Sequence, residues 1–222
     1  PTPRPAAMGI GALPVATSRG QVHADVGLLY YRADAGFIPI ALDLSDSHKG
    51  EPDAALFVTS YTVEQSHTPS TQRPILFAFN GGPGSSSVWL HLGALGPKRV
   101  PINADGSMPP PPYALQDNPH TWLAHFDLVF VDPAHTGYSL CASAEAKKKM
   151  LSVDGDVDAL AECIRLHLTR SQRWGSPIYI AGESYGTTRS AALADKLHGM
   201  GVALSGVILV SCAMDLQTLV ME

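Results

Sequence analysis

The sequence is poor in the features that mark several large classes of protein. It has only 3 cysteines, and their spacing fits neither a disulfide framework nor a metal-binding motif. No apolar run approaches the roughly 20 residues that a membrane-spanning helix needs. Charged residues make up 16% and form no basic stripe, and the net charge of −5 is unfavourable for binding nucleic acid. We therefore expect no membrane span, no nucleic-acid partner and no metal, and nothing in the composition indicates an oligomeric state.

The rest of the composition is that of an ordinary globular protein. Hydrophobic residues make up 45% of the 222 residues, which is enough for one α/β core. Residues 1–19 contain 4 prolines and little apolar periodicity, and this predicts a leader or linker. Residues 20–222 are expected to belong to a single folded domain.

Apolar alternation predicts strands in the first part of the chain. Residues 22–32 and 36–44 alternate well enough to pair as a hairpin. Residues 54–63 and 74–79 are β-branched and aromatic runs bounded by turn residues, and they are expected to lie next to each other in a sheet. Residues 101–119 include a run of prolines, each of which removes a donor, so a surface excursion is expected there.

The second half of the chain switches between strand and helix patterns. Residues 128–131 form a short apolar run typical of a buried parallel strand. Over residues 153–168 apolar residues recur at spacings of three and four, and Asp156 near the start of this predicted helix suits the helix dipole. A strand over 178–181, an alanine-rich helix over 187–197 and a further strand over 207–210 follow in order. The alternation predicts an α/β fold with a mostly parallel central sheet and flanking helices.

One five-residue motif lies between a predicted strand and a predicted helix. Gly182-Glu183-Ser184-Tyr185-Gly186 has the form of a nucleophile elbow, in which a serine on a sharp turn projects its hydroxyl above the sheet. Glycines two residues before and after the serine are needed because a Cβ there would collide within so tight a turn. The flanking elements are those that the motif requires, so Ser184 is the candidate nucleophile.

A glycine-rich segment follows an earlier predicted strand and precedes a short apolar helix. It reads Asn80-Gly-Gly-Pro-Gly-Ser-Ser-Ser, and its glycines would let backbone N–H groups face a cavity, as an oxyanion hole requires. A glycine-rich loop before a helix can also bind phosphate. The segment lacks the lysine and the spacing of a P-loop, so an oxyanion hole is the favoured interpretation.

Together with Asp132-Pro-Ala-His-Thr-Gly-Tyr-Ser, these two motifs resemble the serine carboxypeptidase family, and its bacterial branch most closely. The resemblance covers most of the chain from Gly20 onward. It implies an α/β-hydrolase fold, of which residues 20–222 would be the N-terminal portion, and a serine peptidase that releases residues from peptide C-termini. It implies no metal or organic cofactor, and it suggests a secreted or periplasmic protein.

The resemblance also implies roles for individual residues. Ser184 would attack the scissile carbonyl, and the backbone N–H groups of Gly82 and Tyr185 would bind the resulting oxyanion. Asn80 and Glu183 would bind the free carboxylate at the substrate's C-terminus. Because a glutamate can bond to a carboxylate only when it carries a proton, Glu183 is expected to act as a protonated donor.

The chain departs from the family's pattern at several positions. Ala94 stands where many members have a second glutamate, so the proton-sharing pair of acids is missing and a preference for acid conditions is no longer implied. Ser85 replaces a disulfide cysteine of many members, Ala78 replaces a tryptophan, and His135 replaces a usual glycine. None of these changes removes the nucleophile.

The acid and the histidine of a catalytic triad are expected to follow Glu222. In this fold class the order along the chain is serine, acid, histidine, so only His198, Asp195 and Asp215 are eligible. His198 lies along the same predicted helix, roughly 20 Å from Ser184 at 1.5 Å per residue, and cannot act as its base. The chain by itself is therefore expected to be inactive.

Two alternatives remain open from the sequence. Esterases and acyltransferases use the same scaffold, since a fold does not determine a substrate. A binding or regulatory protein could also keep the elbow and lack catalysis, although the intact Gly-Glu-Ser-Tyr-Gly motif argues against such a loss.

Overall fold

The computed structural model describes residues 15–42, 52–64, 69 and 71–215. The strands of this part are β1 (Ala16–Ala24), β2 (Gly27–Ile40), β3 (Ala54–Glu64), β4 (Ile75–Phe79), β5 (Lys98–Arg99), β6 (Gln116–Asp117), β7 (Asp127–Val131), β8 (Leu140–Cys141), β9 (Ile178–Glu183) and β10 (Leu204–Val210). The helices are α1 (Val88–Leu90), α2 (Ala144–Met150), α3 (Val153–Ser171) and α4 (Tyr185–Gly199), with a π-helical segment over His91–Leu95 and a 3₁₀ turn over Trp122–Ala124. Within these ranges no helix is long and apolar enough to cross a membrane.

The main sheet of the described residues has eight strands. Seven of them follow the order β1-β2-β3-β7-β4-β9-β10, and β8 pairs with β3. Strands β7, β4, β9 and β10 are parallel, whereas β1, β2 and β3 pair in antiparallel fashion. The expectation that β3 and β4 are neighbours is wrong, because β7 lies between them. Both β4 and β7 are buried along their whole length, as their continuous apolar runs favour.

The predicted hairpin is present, but its turn lies elsewhere. β1 and β2 meet at a turn over Asp25 and Val26, followed by Gly27 at φ +112°. Glycine adopts such a conformation without the steric cost that a side chain would add. Residues 33–35, which separated the two predicted strands, lie inside β2 and pair with both β1 and β3.

Two predictions fall partly outside the described residues. Of the predicted leader, residues 1–14 lie outside, and Ala16 to Arg19 belong to β1. The predicted strand over 36–44 is described only to residue 42, and β2 ends at Ile40.

The two faces of the sheet are covered by different parts of the chain. On one face α3 and α4 pack against the strands, with Leu160, Ile164 and Leu193 in the larger core. The opposite face packs against the segment that begins with α1, through Leu90 and Leu95. Burying one such aliphatic side chain contributes about 1.5–3 kcal/mol, so these contacts hold both layers on the sheet.

The helix α3 forms where the apolar spacing predicts it. Ser152 caps its N-terminus by accepting a hydrogen bond from the Gly155 N–H at 3.1 Å. The helix ends at Ser171, and its C-cap residue Gln172 adopts the left-handed conformation common at helix C-termini.

The parallel strands bring the two glycine motifs to one edge of the sheet. β4 and β9 are paired in register from Ile75 and Ile178 to Phe79 and Gly182. Because the carboxyl ends of parallel strands lie together, the segments that follow β4 and β9 meet there. The mixed sheet, with its parallel central strands and flanking helices, is that of an α/β-hydrolase fold.

Candidate active site

Ser184 lies on the turn between β9 and α4. Its backbone has φ +57° and ψ −124°, a strained conformation for a residue with a side chain, and such strain costs about 1–3 kcal/mol. The Ser184 N–H donates to the Val210 carbonyl at 2.9 Å, and the Ser184 carbonyl accepts from the Thr187 hydroxyl at 2.7 Å. The strand, the strained serine and the helix have the geometry that a nucleophile elbow requires.

Close packing requires glycine at several positions of both motifs. A Cβ on Gly182 would overlap the Gly186 carbonyl oxygen, and a Cβ on Gly186 would lie 3.0 Å from the Phe79 carbonyl oxygen. A Cβ on Gly81 would lie 2.5 Å from the Tyr185 nitrogen. The glycine-rich loop after β4 therefore presses directly against the elbow.

The two residues predicted to bind a carboxylate contact each other. Asn80 Nδ2 donates to Glu183 Oε2 at 3.0 Å, and Asn80 Oδ1 accepts from the Leu90 N–H at 3.0 Å. Asn80 is buried, whereas Glu183 is half-buried. Two partners thus orient the Asn80 amide, and the pair lies immediately beside Ser184.

Two cavities flank Ser184. The first, of about 490 Å³, is lined by Asn80, Gly82, Ser85, Trp89, Leu90, Glu183 and Ser184. The second, of about 380 Å³, is mainly apolar, and its lining includes Pro133, Met150, Leu151, Val153 and Tyr185. Gly82 and Ser184 line both cavities, so the glycine-rich loop and the elbow form the boundary between them.

The third sequence motif supports the glycine-rich loop. Asp132 follows β7, and its Oδ1 accepts from the Ser87 N–H at 2.9 Å. The Ser87 hydroxyl donates to the Val131 carbonyl. Burial raises the pKa of Asp132, while hydrogen bonds from the Ser87 and Tyr138 N–H groups act in the opposite direction. The motif thereby fixes the end of the loop to the central strand.

His135 has a left-handed backbone with φ +67°. Glycine adopts that conformation freely, which explains why it suits this position. The His135 side chain is exposed and lines the second cavity together with Ser184. The two side chains are not hydrogen-bonded to each other.

Within residues 15–42, 52–64, 69 and 71–215, no histidine is hydrogen-bonded to Ser184. His198 lies in the last turn of α4, at the opposite end of the helix from Ser184, as the sequence predicts. Asp195 is on the same helix, and the described chain ends at Asp215. In the same described part, no group of three histidine, cysteine or carboxylate side chains could hold a metal ion. The position of the triad acid and histidine after Glu222 remains a prediction.

A buried ion pair beneath the site was missed by the sequence interpretation. Arg189 Nε donates to Asp156 Oδ2 at 2.6 Å, and Arg189 Nη1 donates to the Asn80 carbonyl at 2.6 Å. The pattern assigned Asp156 only to the start of a helix. No local signal reveals the pair, because its members lie on different helices, 33 residues apart in the chain.

His91, next to Leu90 of the first cavity, belongs to an aromatic cluster. Its ring stacks on Phe130 with 4.5 Å between centroids, and its Nε2 lies 2.6 Å from the Tyr61 hydroxyl oxygen. Burial lowers the pKa of His91 to about 4. The ring is therefore neutral at neutral pH, and its Nε2 can accept the proton of the Tyr61 hydroxyl.

Acidification is expected to destabilise the protein through His91. Its pKa is near 6.5 in the unfolded chain and about 4 in the folded one, so the unfolded state takes up the proton first as the pH falls. The stabilisation is complete above about pH 6.5 and is lost toward about pH 4, and it amounts to roughly 3 kcal/mol. Urea unfolding at both pH values, for the wild type and for His91→Gln, measures it. His91→Gln should lose this part of the pH dependence of the free energy of unfolding. An equal pH dependence in both proteins would show that His91 is not its source.

The chain is similar to curated proteins from plants and yeast. A family model described as Serine carboxypeptidase matches residues 36–211. Serine carboxypeptidase-like 50 from Arabidopsis thaliana is 30% identical over 154 residues, covering 68% of this chain and 30% of that protein. Pheromone-processing carboxypeptidase KEX1 from Saccharomyces cerevisiae is 35% identical over 107 residues, covering 48% of this chain and 13% of that protein.

Each match covers a larger share of this chain than of the relative. The chain spans about a third of the length of the first plant relatives, 30% of one and 33% of another. Among solved structures, the peroxisomal α/β-hydrolase Lpx1 from Saccharomyces cerevisiae is similar with a TM-score of 0.43 and 14% identity, covering 89% of this chain and 44% of that one.

Proposed function

This chain belongs to the serine carboxypeptidase family, and we propose that the complete protein is a serine exopeptidase that releases single residues from peptide C-termini. The observation that supports this most directly is the Asn80–Glu183 pair, which shares a cavity with Ser184. An exopeptidase must hold a carboxylate close to its nucleophile. An esterase has no such requirement, so a polar pair at this position favours the exopeptidase.

The proposed reaction begins at Ser184. Its Oγ attacks the carbonyl carbon of the last peptide bond while its proton passes to a histidine that the complete protein supplies. The carbonyl oxygen becomes an oxyanion, to which the N–H groups of Gly82 and Tyr185 donate. The C–N bond then breaks, and the histidine returns the proton to the leaving amine. An ester between Ser184 and the shortened peptide remains.

Water completes the cycle. It attacks the ester carbon, loses a proton to the same histidine and re-forms the oxyanion on the same two N–H groups. The ester C–O bond then breaks, and the Ser184 oxygen recovers its proton from the histidine. The products are one amino acid and a peptide shortened by one residue.

The Asn80–Glu183 pair sets the direction of the substrate. Asn80 Nδ2 has two hydrogens, one of which is donated to Glu183. The other would donate to the substrate's carboxylate, next to the Glu183 carboxyl group. With the carboxylate held there, the leaving residue occupies the first cavity, and the rest of the peptide extends toward the apolar second cavity.

The proposal is tested by comparing an N-blocked dipeptide acid with its C-terminal amide as substrates of the complete protein. Removing the partner of a hydrogen-bonded charged group costs about 2–5 kcal/mol. The acid should therefore be hydrolysed with a kcat/KM at least about thirtyfold higher than that of the amide. Equal rates for the two would favour the esterase or acyltransferase alternative.

Asn80→Ala is expected to remove most of this discrimination. The variant should lose about 2–5 kcal/mol in kcat/KM for the acid, mainly through KM, because the carboxylate loses a donor. The amide should be affected much less. Asn103→Ala, an exposed asparagine on a surface loop, is the matched control and should behave as wild type. An unaltered kcat/KM of Asn80→Ala for the acid would show that Asn80 does not bind the carboxylate.

A further inference from the structure

Arg189 is a buried cation that the reaction described above does not use. Only 2% of it is exposed, and its partner Asp156 is 8% exposed. It lies on α4 one turn after Tyr185, whose ring faces its guanidinium at 5.2 Å, and Phe79 faces it at 5.7 Å. It thus contacts the last residue of β4 and the first residue of α4 together.

The guanidinium connects three separate segments. Its Nε donates to Asp156 on α3, and its Nη1 donates to the backbone carbonyl of Asn80, the first residue of the glycine-rich loop. Such a bridge needs the planar, divergent N–H donors of a guanidinium. A lysine ammonium presents only a single point charge in their place. Burial raises the pKa of Asp156, while its interaction with Arg189 acts in the opposite direction. Each buried charge of the pair is therefore stabilised only while its partner is present.

The position of this bridge matters because the proposed oxyanion hole has two halves. Gly82 lies two residues after Asn80 on the loop, and Tyr185 lies four residues before Arg189 on the helix. The bond from Arg189 to Asn80 is a polar link between them, and Arg189 touches the ring of Tyr185 at the same time. Any change in the length of that link moves one half of the hole relative to the other.

We propose that Arg189, held by Asp156, is a positioning residue that sets the spacing of the Gly82 and Tyr185 N–H groups. This inference rests on the proposed function and goes beyond it, since Arg189 touches no reacting atom. A misplaced oxyanion donor weakens binding of the transition state and leaves binding of the substrate unchanged. The Asn80 side chain keeps its own bonds to Glu183 and to the Leu90 N–H, so loss of the bridge should appear mainly in kcat.

Arg189→Lys in the complete protein is the test. We expect kcat to fall by about 10–100-fold, as for other small displacements of catalytic groups, with KM within about threefold of wild type. Affinity for a peptide aldehyde, whose adduct carries an oxyanion, should fall in parallel with kcat. If Arg189→Lys does not accumulate in folded form, Asp156→Asn weakens the same bridge and should give a smaller loss of the same kind.

Arg173→Lys is the matched control. Arg173 is also a buried arginine that donates to a buried aspartate, Asp127, at 2.6 Å and to a backbone carbonyl, that of Arg73, at 2.7 Å. Asp127 begins β7, so this pair lies at the opposite end of the strands from Ser184. Its loss should lower the melting temperature and leave kcat within about threefold of wild type. An equal loss of kcat in both variants would show a stability effect only, and an unchanged kcat in Arg189→Lys would overturn the proposal.

Hydrogen–deuterium exchange gives a second readout that needs no turnover. Exchange of the backbone amides of residues 80–87 should accelerate in Arg189→Lys and stay at the wild-type rate in Arg173→Lys. Unchanged exchange in Arg189→Lys would also overturn the proposal. Activity that survives Ser184→Ala would contradict the proposed function. The exchange measurement would then decide the role of Arg189.

Discussion

Replacing Ser184 with alanine in the complete protein is expected to lower kcat for peptides by about 10⁶-fold, the loss seen when a hydrolase loses its nucleophilic serine. In the proposed mechanism the Ser184 oxygen is the protein atom that becomes covalently bonded to the substrate. Peptide binding should change little, because the carboxylate contacts proposed for Asn80 and Glu183 remain. The measurement is steady-state hydrolysis of an N-blocked dipeptide acid, together with the Kd of a non-cleaved analogue.

The fold should survive the substitution. Alanine at φ +57° is strained to a similar degree as serine, so the free energy of unfolding should stay within about 1 kcal/mol of wild type. Ser205→Ala is a matched control, since Ser205 is an exposed serine on the neighbouring strand β10. Turnover by Ser184→Ala within an order of magnitude of wild type would exclude Ser184 as the nucleophile.

Residues 1–222, expressed by themselves, are expected to show no peptide turnover. A serine hydroxyl is a poor nucleophile until a base within hydrogen-bond reach takes its proton. His198 is separated from Ser184 by the length of α4, and in the described part of the chain no histidine bonds to Ser184. Oxyanion donors alone leave only residual catalysis, about 10³–10⁴-fold over water.

The test of this second expectation uses the chain and the complete protein side by side. Circular dichroism first establishes that residues 1–222 are folded, and both proteins are then assayed with the same dipeptide acid. Turnover by the chain alone would mean that it contains a base. His135 would be the first candidate because it lines the second cavity with Ser184, and His135→Ala would then abolish the activity.

The elements around Ser184 could be predicted because their signals are local. The strand, turn and helix at the elbow need two glycines within five residues, and a Cβ on Gly182 would overlap the Gly186 carbonyl. The helix α3 likewise shows in the spacing of its apolar residues, and β7 shows as a short apolar run. In each case the residues that determine the structure are close together in the chain.

The errors concern contacts between distant segments. β3 and β4 are consecutive strands with similar patterns, and only the complete sheet reveals that β7 is inserted between them. The hairpin turn at Asp25 and Val26 was missed because the strand predicted over 22–32 ran through it, and β2 continues through residues 33–35, where a break was expected. The Asp156–Arg189 pair joins two helices, and no pattern within either helix requires it.

Labelling with a fluorophosphonate probe tests the role of Ser184 most directly, because the probe reacts only with a serine whose hydroxyl is activated. The complete protein should take up one label per chain, and peptide mapping by mass spectrometry should place it on Ser184. A peptide with a free C-terminal carboxylate should slow the labelling, and its amide should not. Stoichiometric labelling at another residue, or full peptide turnover without any label on Ser184, would contradict the proposed mechanism.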